Sequence, residues 1–244
     1  MKLTILGNNG PFPSAGGACS GYLVSEGSVN ILIDCGNGVL SNLQQYIRYE
    51  ELDVIILTHL HSDHMSDMMV LKYALQIKRK RGQLDKSLNV YAPPEPTEEY
   101  QRIDIKDAFD LKPLTRDTVL KIGTISITFD QMRHPVMDFA VCMESRGKRF
   151  VFSGDTSWTE SIIGFARNAD LLMLDAGLLS KDKTGSDAPH LTAEECGIIA
   201  REANVNKLLL THFYPEYDID ELLNEARGNF ENVDAARLLK EYEI

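Results

Sequence analysis

Cysteine is scarce in this chain, four in 244 residues, and no two stand in a C-x-x-C pair. Cys19, Cys35, Cys142 and Cys196 are too scattered for a disulfide framework or a cysteine-rich zinc site. Nothing next to any of them in the sequence activates a thiolate, so all four read as small packing residues in a reducing cytoplasm. Long hydrophobic runs are also absent. None approaches the roughly 20 apolar residues of a membrane helix. The apolar stretch at 3–6 stops at Gly7-Asn8-Asn9-Gly10, too short for a secretion signal. Positive charge is in short supply, 25 Lys+Arg against 36 Asp+Glu, for a net charge of -11. A protein that grips a long polyanion usually shows the opposite balance, which disfavours long nucleic acid as a partner. The one basic run, Lys78-Arg79-Lys80-Arg81, ends an expected helix, where cations suit the dipole. It reads as a solvated helix end rather than a phosphate patch. With no low-complexity linker and no long-period repeat, residues 1–244 are expected to form a single domain.

What the chain does have is a dense cluster of metal-ligand side chains. Thr58-His59-Leu60-His61-Ser62-Asp63-His64 follows the apolar run 54–57, a buried strand, and precedes a helix expected over 65–81. In an extended segment alternate residues point the same way, so His59 and His61 can grip one ion together. Asp63 and His64 fall on the turn into the helix and can aim at a second. Imidazole and carboxylate at this density suit zinc first, with manganese or iron as poorer matches.

The rest of the pattern alternates strands and helices. Strands are expected at 3–6, 88–91, 171–174 and 207–210. Hairpins are expected at 22–24 with 29–33, 119–122 with 124–129, and 139–144 with 149–152. Helices are expected at 39–48, 97–109, 157–168 and 218–225. Thr192-Ala193-Glu194-Glu195 has the form of a capping box and opens a helix over 193–203. Residues 235–243 fit a helix or an edge strand. Each half reads as strands followed by strand-helix-strand, which packs as two sheets face to face with helices outside.

His134, Asp155 and His212 each stand at or just past an expected strand end, and His190 just before a helix. If the strand ends share one edge, all six histidines converge. One ion would take His59, His61 and His134. The other would take Asp63, His64 and His212, with Asp155 as a bridge and a water shared between the ions. His190 is then free to donate a proton to a leaving oxygen or a hydrogen bond to a phosphoryl oxygen. Asp53 and Thr211 flank the site strands as candidates to orient imidazoles. Asp67 and Asp138 have no assigned role. Phe12, Phe213 and Tyr214 are candidates to stack a nucleobase, whereas Trp158 reads first as core. Lys181 and Lys183 sit on a loop that could reach a phosphate, with solvated charge as the default.

With these motifs in place, the chain resembles the metallo-β-lactamase fold superfamily. The H-x-H-x-D-H signature stands at His59 to His64, the third-motif histidine at His134, the bridging aspartate at Asp155 and the last histidine at His212. Asp34, in Ile33-Asp34-Cys35-Gly36, matches the first motif. The resemblance implies an α/β fold, a four-layer αββα sandwich with mixed sheets, a two-metal site at one edge and a homodimer. Within the superfamily the chain is similar to the ribonuclease Z-like phosphodiesterase branch. His190-Leu191-Thr192-Ala193-Glu194-Glu195 resembles the His-Ser-Thr-Ala-x-Glu segment there, whose histidine assists phosphodiester cleavage. Leu191 replaces the serine, and the stretch between His64 and His134 is short for a tRNA-gripping arm. True β-lactamases lack the bridging aspartate, so Asp155 argues against antibiotic hydrolysis. The expected activity is therefore cleavage of a small phosphodiester, a cyclic nucleotide or another small nucleotide, through a metal-bridging hydroxide, with Asp63 and His190 catalytic. The alternatives are a carboxylic ester, thioester or lactone hydrolase on the same site, and a metal-binding sensor with little turnover.

Overall fold

The computed structural model describes residues 1–185 and 188–244. Strands β1 (Lys2–Gly7), β2 (Gly21–Glu26), β3 (Val29–Ile33), β4 (Val54–Ile56), β5 (Leu88–Ala92) and β6 (Phe109–Pro113) form one sheet. Strands β7 (Leu120–Ile122), β8 (Ile125–Gln131), β9 (Phe139–Ser145), β10 (Lys148–Phe152), β11 (Leu171–Asp175), β12 (Leu208–Thr211) and β13 (Val233–Ala235) form the other. The last strand, β14 (Glu241–Glu243), returns to the free edge of β1, making both sheets seven-stranded. Helices α1 (Val39–Leu43), α2 (Ser62–Met65), α3 (Met68–Lys80) and α4 (Thr97–Ile103) belong to the first half. Helices α5 (Ser161–Phe165), α6 (Ala193–Glu202) and α7 (Ile219–Arg227) belong to the second.

The layering follows from alternation along the strands. Leu3, Ile5, Tyr22, Val24, Ile31, Ile33, Val54 and Ile56 meet Phe150, Phe152, Leu171, Met173 and Leu209 in one apolar cluster between the sheets. Their neighbours Leu6, Leu23, Leu32 and Ile55 join Val39, Leu43, Met68, Leu71 and Leu75 in a second cluster under the first helices. Val151, Leu172, Leu174, Leu208 and Leu210 join Ile199, Ala200 and Leu222 in a third. Strands buried on both faces read as continuous apolar runs, and three apolar layers require four structural ones. The αββα sandwich expected from the sequence is the observed fold.

Each sheet also changes pairing midway. The order β14-β1-β2-β3 is antiparallel and β3-β4-β5-β6 parallel. The order β7-β8-β9-β10 is antiparallel and β10-β11-β12-β13 parallel. Strands β3 and β4 therefore end at one edge of the first sheet, and β8, β10, β11 and β12 at one edge of the second. The loops leaving these ends carry the histidines.

Several elements differ from the sequence expectation. The helix expected over 39–48 stops at Leu43, and Asn42 turns its amide to Leu6 O at 2.7 Å. The helix expected over 65–81 begins earlier, at Ser62, and breaks between Met65 and Met68, where Asp67 accepts a hydrogen bond from Leu40 N at 2.8 Å. The helix expected over 97–109 ends at Ile103. Residues from Phe109 pair with β5 instead, because Phe109 is fully buried in the outer apolar layer and tertiary pairing overrides local pattern. The helix expected over 157–168 contracts to α5. The ambiguous tail is neither one helix nor one strand: β13 and β14 lie on different sheets and tie them together.

All four cysteines are free and buried, and burial pushes the thiol of Cys19 up to about 12 and that of Cys142 up to about 11. Packing is their role. Among the described residues no helix is long and apolar enough to cross a membrane. Phe150→Ala opens a cavity between the sheets and is expected to lower unfolding free energy by about 3–5 kcal/mol at unchanged denaturant m-value. A urea titration showing a loss below about 1 kcal/mol would contradict the assignment of Phe150 to the central layer.

Candidate metal centre

Close approach of backbone segments builds the site before any side chain is considered. A Cβ on Gly36 would lie 1.9 Å from Asp63 O, and one on Gly10 would lie 1.9 Å from His212 Nε2. Only glycine fits at either place. Asp34 and His212 take left-handed φ angles of 59° and 58°, unusual for residues with side chains. Such conformations persist when surrounding contacts over-determine them. Asp34 accepts hydrogen bonds from Thr58 N at 2.8 Å and from the Thr58 hydroxyl, which holds the strand end that presents His59.

The six histidines converge, as do the aspartates from the other strand ends. His59 Nε2 lies 3.1 Å from His61 Nδ1, which lies 3.2 Å from His134 Nε2. Asp63 Oδ2 lies 3.2 Å from His212 Nε2 and 3.6 Å from His64 Nε2. Between the two groups sits Asp155, whose Oδ2 is 3.8 Å from His59 Nε2, 3.4 Å from His64 Nε2 and 3.2 Å from His212 Nε2. His190 stands beside it, with Nδ1 3.8 Å from Asp155 Oδ2 and its ring stacked on His212 at 5.0 Å.

The far ring nitrogen of most of these imidazoles is spoken for. His59 Nδ1 lies 2.6 Å from Asp138 Oδ2, and His64 Nδ1 lies 2.8 Å from Asp34 Oδ2. His134 Nδ1 donates to Pro189 O at 3.1 Å. Asp175 Oδ2 lies 2.8 Å from His190 Nδ1, and its Oδ1 faces His212 Nδ1 at an ion-pair distance of 3.4 Å without a hydrogen bond. An imidazole that donates from Nδ1 presents the Nε2 lone pair, so these partners select the tautomer a cation needs.

Protonation follows the charges. Burial pushes His59 well below the ordinary imidazole value, and pushes His61 and His134 down as well. Burial also opposes charge on His64 and His212. The carboxylates of Asp155, Asp34 and Asp63 outweigh it at the first, and those of Asp155, Asp175 and Asp63 at the second, holding both well above that value. Asp138 is pushed well above the carboxylate range by burial and by Asp155. Asp155, despite its burial, is held well below that range by His212, His64 and His59.

A divalent cation fits this arrangement. His64 Nε2 and Asp155 Oδ1 are buried without a hydrogen-bond partner among the described residues, a costly state for groups that do not bind something else. A tetrahedral zinc shell with nitrogens at roughly 2.0–2.1 Å has edges of about 3.3 Å, close to the observed nitrogen separations. Three groups of side chains could each hold an ion: His59, His61 and His134; Asp63, His64, Asp155 and His212; and Asp155, Asp175, His190 and His212, which shares Asp155 and His212 with the second.

Other sequence expectations fare differently. Asp53 precedes β4, at the opposite end from His59, and accepts from Asn30 N at 2.8 Å. Thr211 Oγ1 pairs with Tyr22 OH at 2.8 Å, inside the sandwich. Neither orients an imidazole. That task falls to Asp138 and to Asp175, neither of which the sequence reading assigns a role. A signal for Asp175 was present: Asp175-Ala176-Gly177 repeats the Asp-x-Gly pattern of Asp34-Cys35-Gly36 after an apolar run. Phe213 is buried in the outer layer and Trp158 packs against it, while Tyr214 lines a cleft beside the histidines. Lys181 pairs with Glu221 at 2.7 Å and Lys183 pairs with Glu195. Lys78 pairs with Glu50 at 2.8 Å, as a helix-end charge would.

Asp34→Ala strips the buried acceptor from His64 Nδ1 and Thr58 N. Breaking a buried pair in this way is expected to cost about 3–5 kcal/mol of unfolding free energy. Urea unfolding in the presence of chelator measures it, and a neutral effect would show that Asp34 holds nothing in place.

Residues 29–213 match the family described as the β-lactamase superfamily domain. Over 231 residues the chain is 36% identical to a probable metallo-hydrolase, YhfI, of Bacillus subtilis, covering 94% of each protein. The crystal structure of YhfI, described as a metallo-β-lactamase fold protein, superposes with a TM-score of 0.94 at 35% identity, covering 99% of this chain and 98% of that one. A ribonuclease Z of Archaeoglobus fulgidus is 27% identical over 291 residues, covering 95% of this chain and 94% of that protein. A diphosphatase of the PhnP family shares the fold at a TM-score of 0.78 and 17% identity, covering 100% of this chain and 97% of that one. On this match and on the YhfI identity, the chain belongs to the β-lactamase superfamily.

Proposed function

We propose that this protein is a two-metal hydrolase that cleaves a small phosphodiester, a cyclic nucleotide or other small nucleotide. The observation that carries the reading is the position of Asp155 between two ligand groups, with His190 beside it and held by Asp175. His59, His61 and His134 would hold one ion, Asp63, His64 and His212 the other, and Asp155 both. Imidazole and carboxylate without thiolate favour zinc, with manganese or iron as lesser matches. When bound, the pair of ions would lower the pKa of water and offset charge on phosphoryl oxygens.

The chain's own residues supply the rest. Asp34, Asp138 and Asp175 keep the imidazoles in place. Burial disfavours charge on His190, but Asp175 outweighs it and raises that imidazole above its ordinary value. A protonated ring next to the site is placed to give a proton to a departing oxygen. The names of two relatives, a ribonuclease and a diphosphatase, support a phosphorus–oxygen bond as the target. A net charge of -11 supports a small substrate over a long polyanion. The stretch between His64 and His134 is taken up by α3, α4 and β5 to β8. Four buried free thiols suit a reducing compartment.

His190→Ala is expected to cut turnover of bis-p-nitrophenyl phosphate by about 10²–10⁴-fold with bound metal unchanged. Parallel loss of metal and activity would remove His190 from the chemistry. Faster turnover of thioesters or lactones than of any phosphodiester would overturn the substrate class, and no turnover of any by the metal-loaded protein would favour a sensor.

Zinc addition to the chelated protein is expected to raise Tm, since a ligand that binds only the folded state stabilises it. Asp155→Ala is expected to abolish that rise, and an undiminished rise would place the ions elsewhere.

A further inference from the structure

A cleft of about 290 Å³ opens on the His190 side of the site. Pro11, Leu178, Tyr214 and Tyr217 wall it, and His190 and His212 reach into it from the metal-centre side. The aromatic wall is braced from outside. Phe12 meets Tyr214 edge to face at 5.7 Å, and Tyr214 meets Tyr217 at 5.2 Å and 67°. The Tyr217 hydroxyl donates to Asp182 Oδ2 at 2.8 Å, which leaves its ring as the surface for contact. Phe12 is 45% exposed, an apolar side chain left in water next to the mouth.

Charge narrows what can enter. No lysine or arginine lines the cleft among the described residues. Lys181 and Lys183, on the loop before His190, are engaged by Glu221 and Glu195. A second phosphate or a carboxylate would find no lysine or arginine there, only His190 and His212 at the metal-centre end, and would lose its hydration on entry. A flat neutral ring would instead gain aromatic contact on the tyrosine wall. The volume sits at the small end of the roughly 300–1,000 Å³ typical of ligand pockets, enough for one ring system and too little for a polymer.

We propose that this cleft is a base-binding subsite: it takes the nucleobase of a nucleotide whose phosphate lies at the Asp155 cluster, with Tyr214 and Tyr217 setting the preference for substrates that carry such a ring. The inference rests on the phosphodiesterase reading and adds the chemistry and the side of the non-reacting group. Base stacking on an aromatic side chain changes affinity by roughly 5- to 150-fold.

Calorimetry on zinc-loaded protein with adenosine 5′-monophosphate and ribose 5-phosphate tests it. The wild type is expected to bind the nucleotide at least about tenfold more tightly than the sugar phosphate. Tyr214→Ala is expected to remove most of that margin, leave ribose 5-phosphate unchanged, and raise KM for adenosine 3′,5′-cyclic phosphate at near-constant kcat. Tyr214→Phe is expected to keep the margin. Equal affinity for the two probes in the wild type, or equal weakening of both by Tyr214→Ala, would overturn the subsite even if cyclic phosphates are hydrolysed. A margin that depends on Tyr214 in a protein that hydrolyses no phosphodiester would support the subsite and overturn the activity.

Discussion

Five aspartates, Asp34, Asp63, Asp138, Asp155 and Asp175, share one water-poor pocket, and the rest of the structure answers to that concentration of negative charge. All but Asp63 are buried almost completely. Carboxylates cannot crowd like this in a low-dielectric interior unless positive charge is brought to them. Without an ion, the histidines take protons: His64, His190 and His212 are all held above their ordinary value by neighbouring carboxylates. Asp138 is pushed well above the usual carboxylate range by burial and by Asp155. Two divalent cations would meet the same demand and release the protons of the ligands His64 and His212, the usual coupling of metal binding to ionisation.

The fold supplies this pocket through strand direction. Parallel strands β3, β4, β10, β11 and β12 stop at the same edge of the sandwich, and a ligand or an orienting aspartate follows each one. Thr58-His59 just past β4 and Thr211-His212 at the end of β12 are counterparts in the two halves, as are Asp34 after β3 and Asp175 at the end of β11. The apolar layers set the precision. Strand ends buried on both faces cannot shift without exposing side chains on one of them, so imidazoles more than 70 residues apart in sequence meet within 3.2 Å.

The histidines and Asp155 were legible in the sequence because each stands where an apolar run stops, and because three histidines and an aspartate within six residues have few structural uses. The double layering was legible because β-strand runs such as 54–57 and 171–174 are apolar on both faces. Asp138 and Asp175 were harder to see. An aspartate at a strand end is a common turn residue, and only the three-dimensional meeting with His59, His190 and His212 gives these two their work. The end of α4 is not legible for a related reason: Phe109 and the residues after it pattern as well for a helix as for an edge strand, and pairing with β5 decides. The paired assignment of Lys181 and Lys183 lies in side-chain contacts that no local pattern reveals.

The central claim is that this pocket holds two cations bridged by Asp155. Anomalous diffraction at the zinc absorption edge, from crystals grown with zinc, tests it most directly. The account expects two peaks on either side of the Asp155 carboxylate, one among His59, His61 and His134 and one among Asp63, His64 and His212. A single peak, or peaks that Asp155 does not touch, would contradict it.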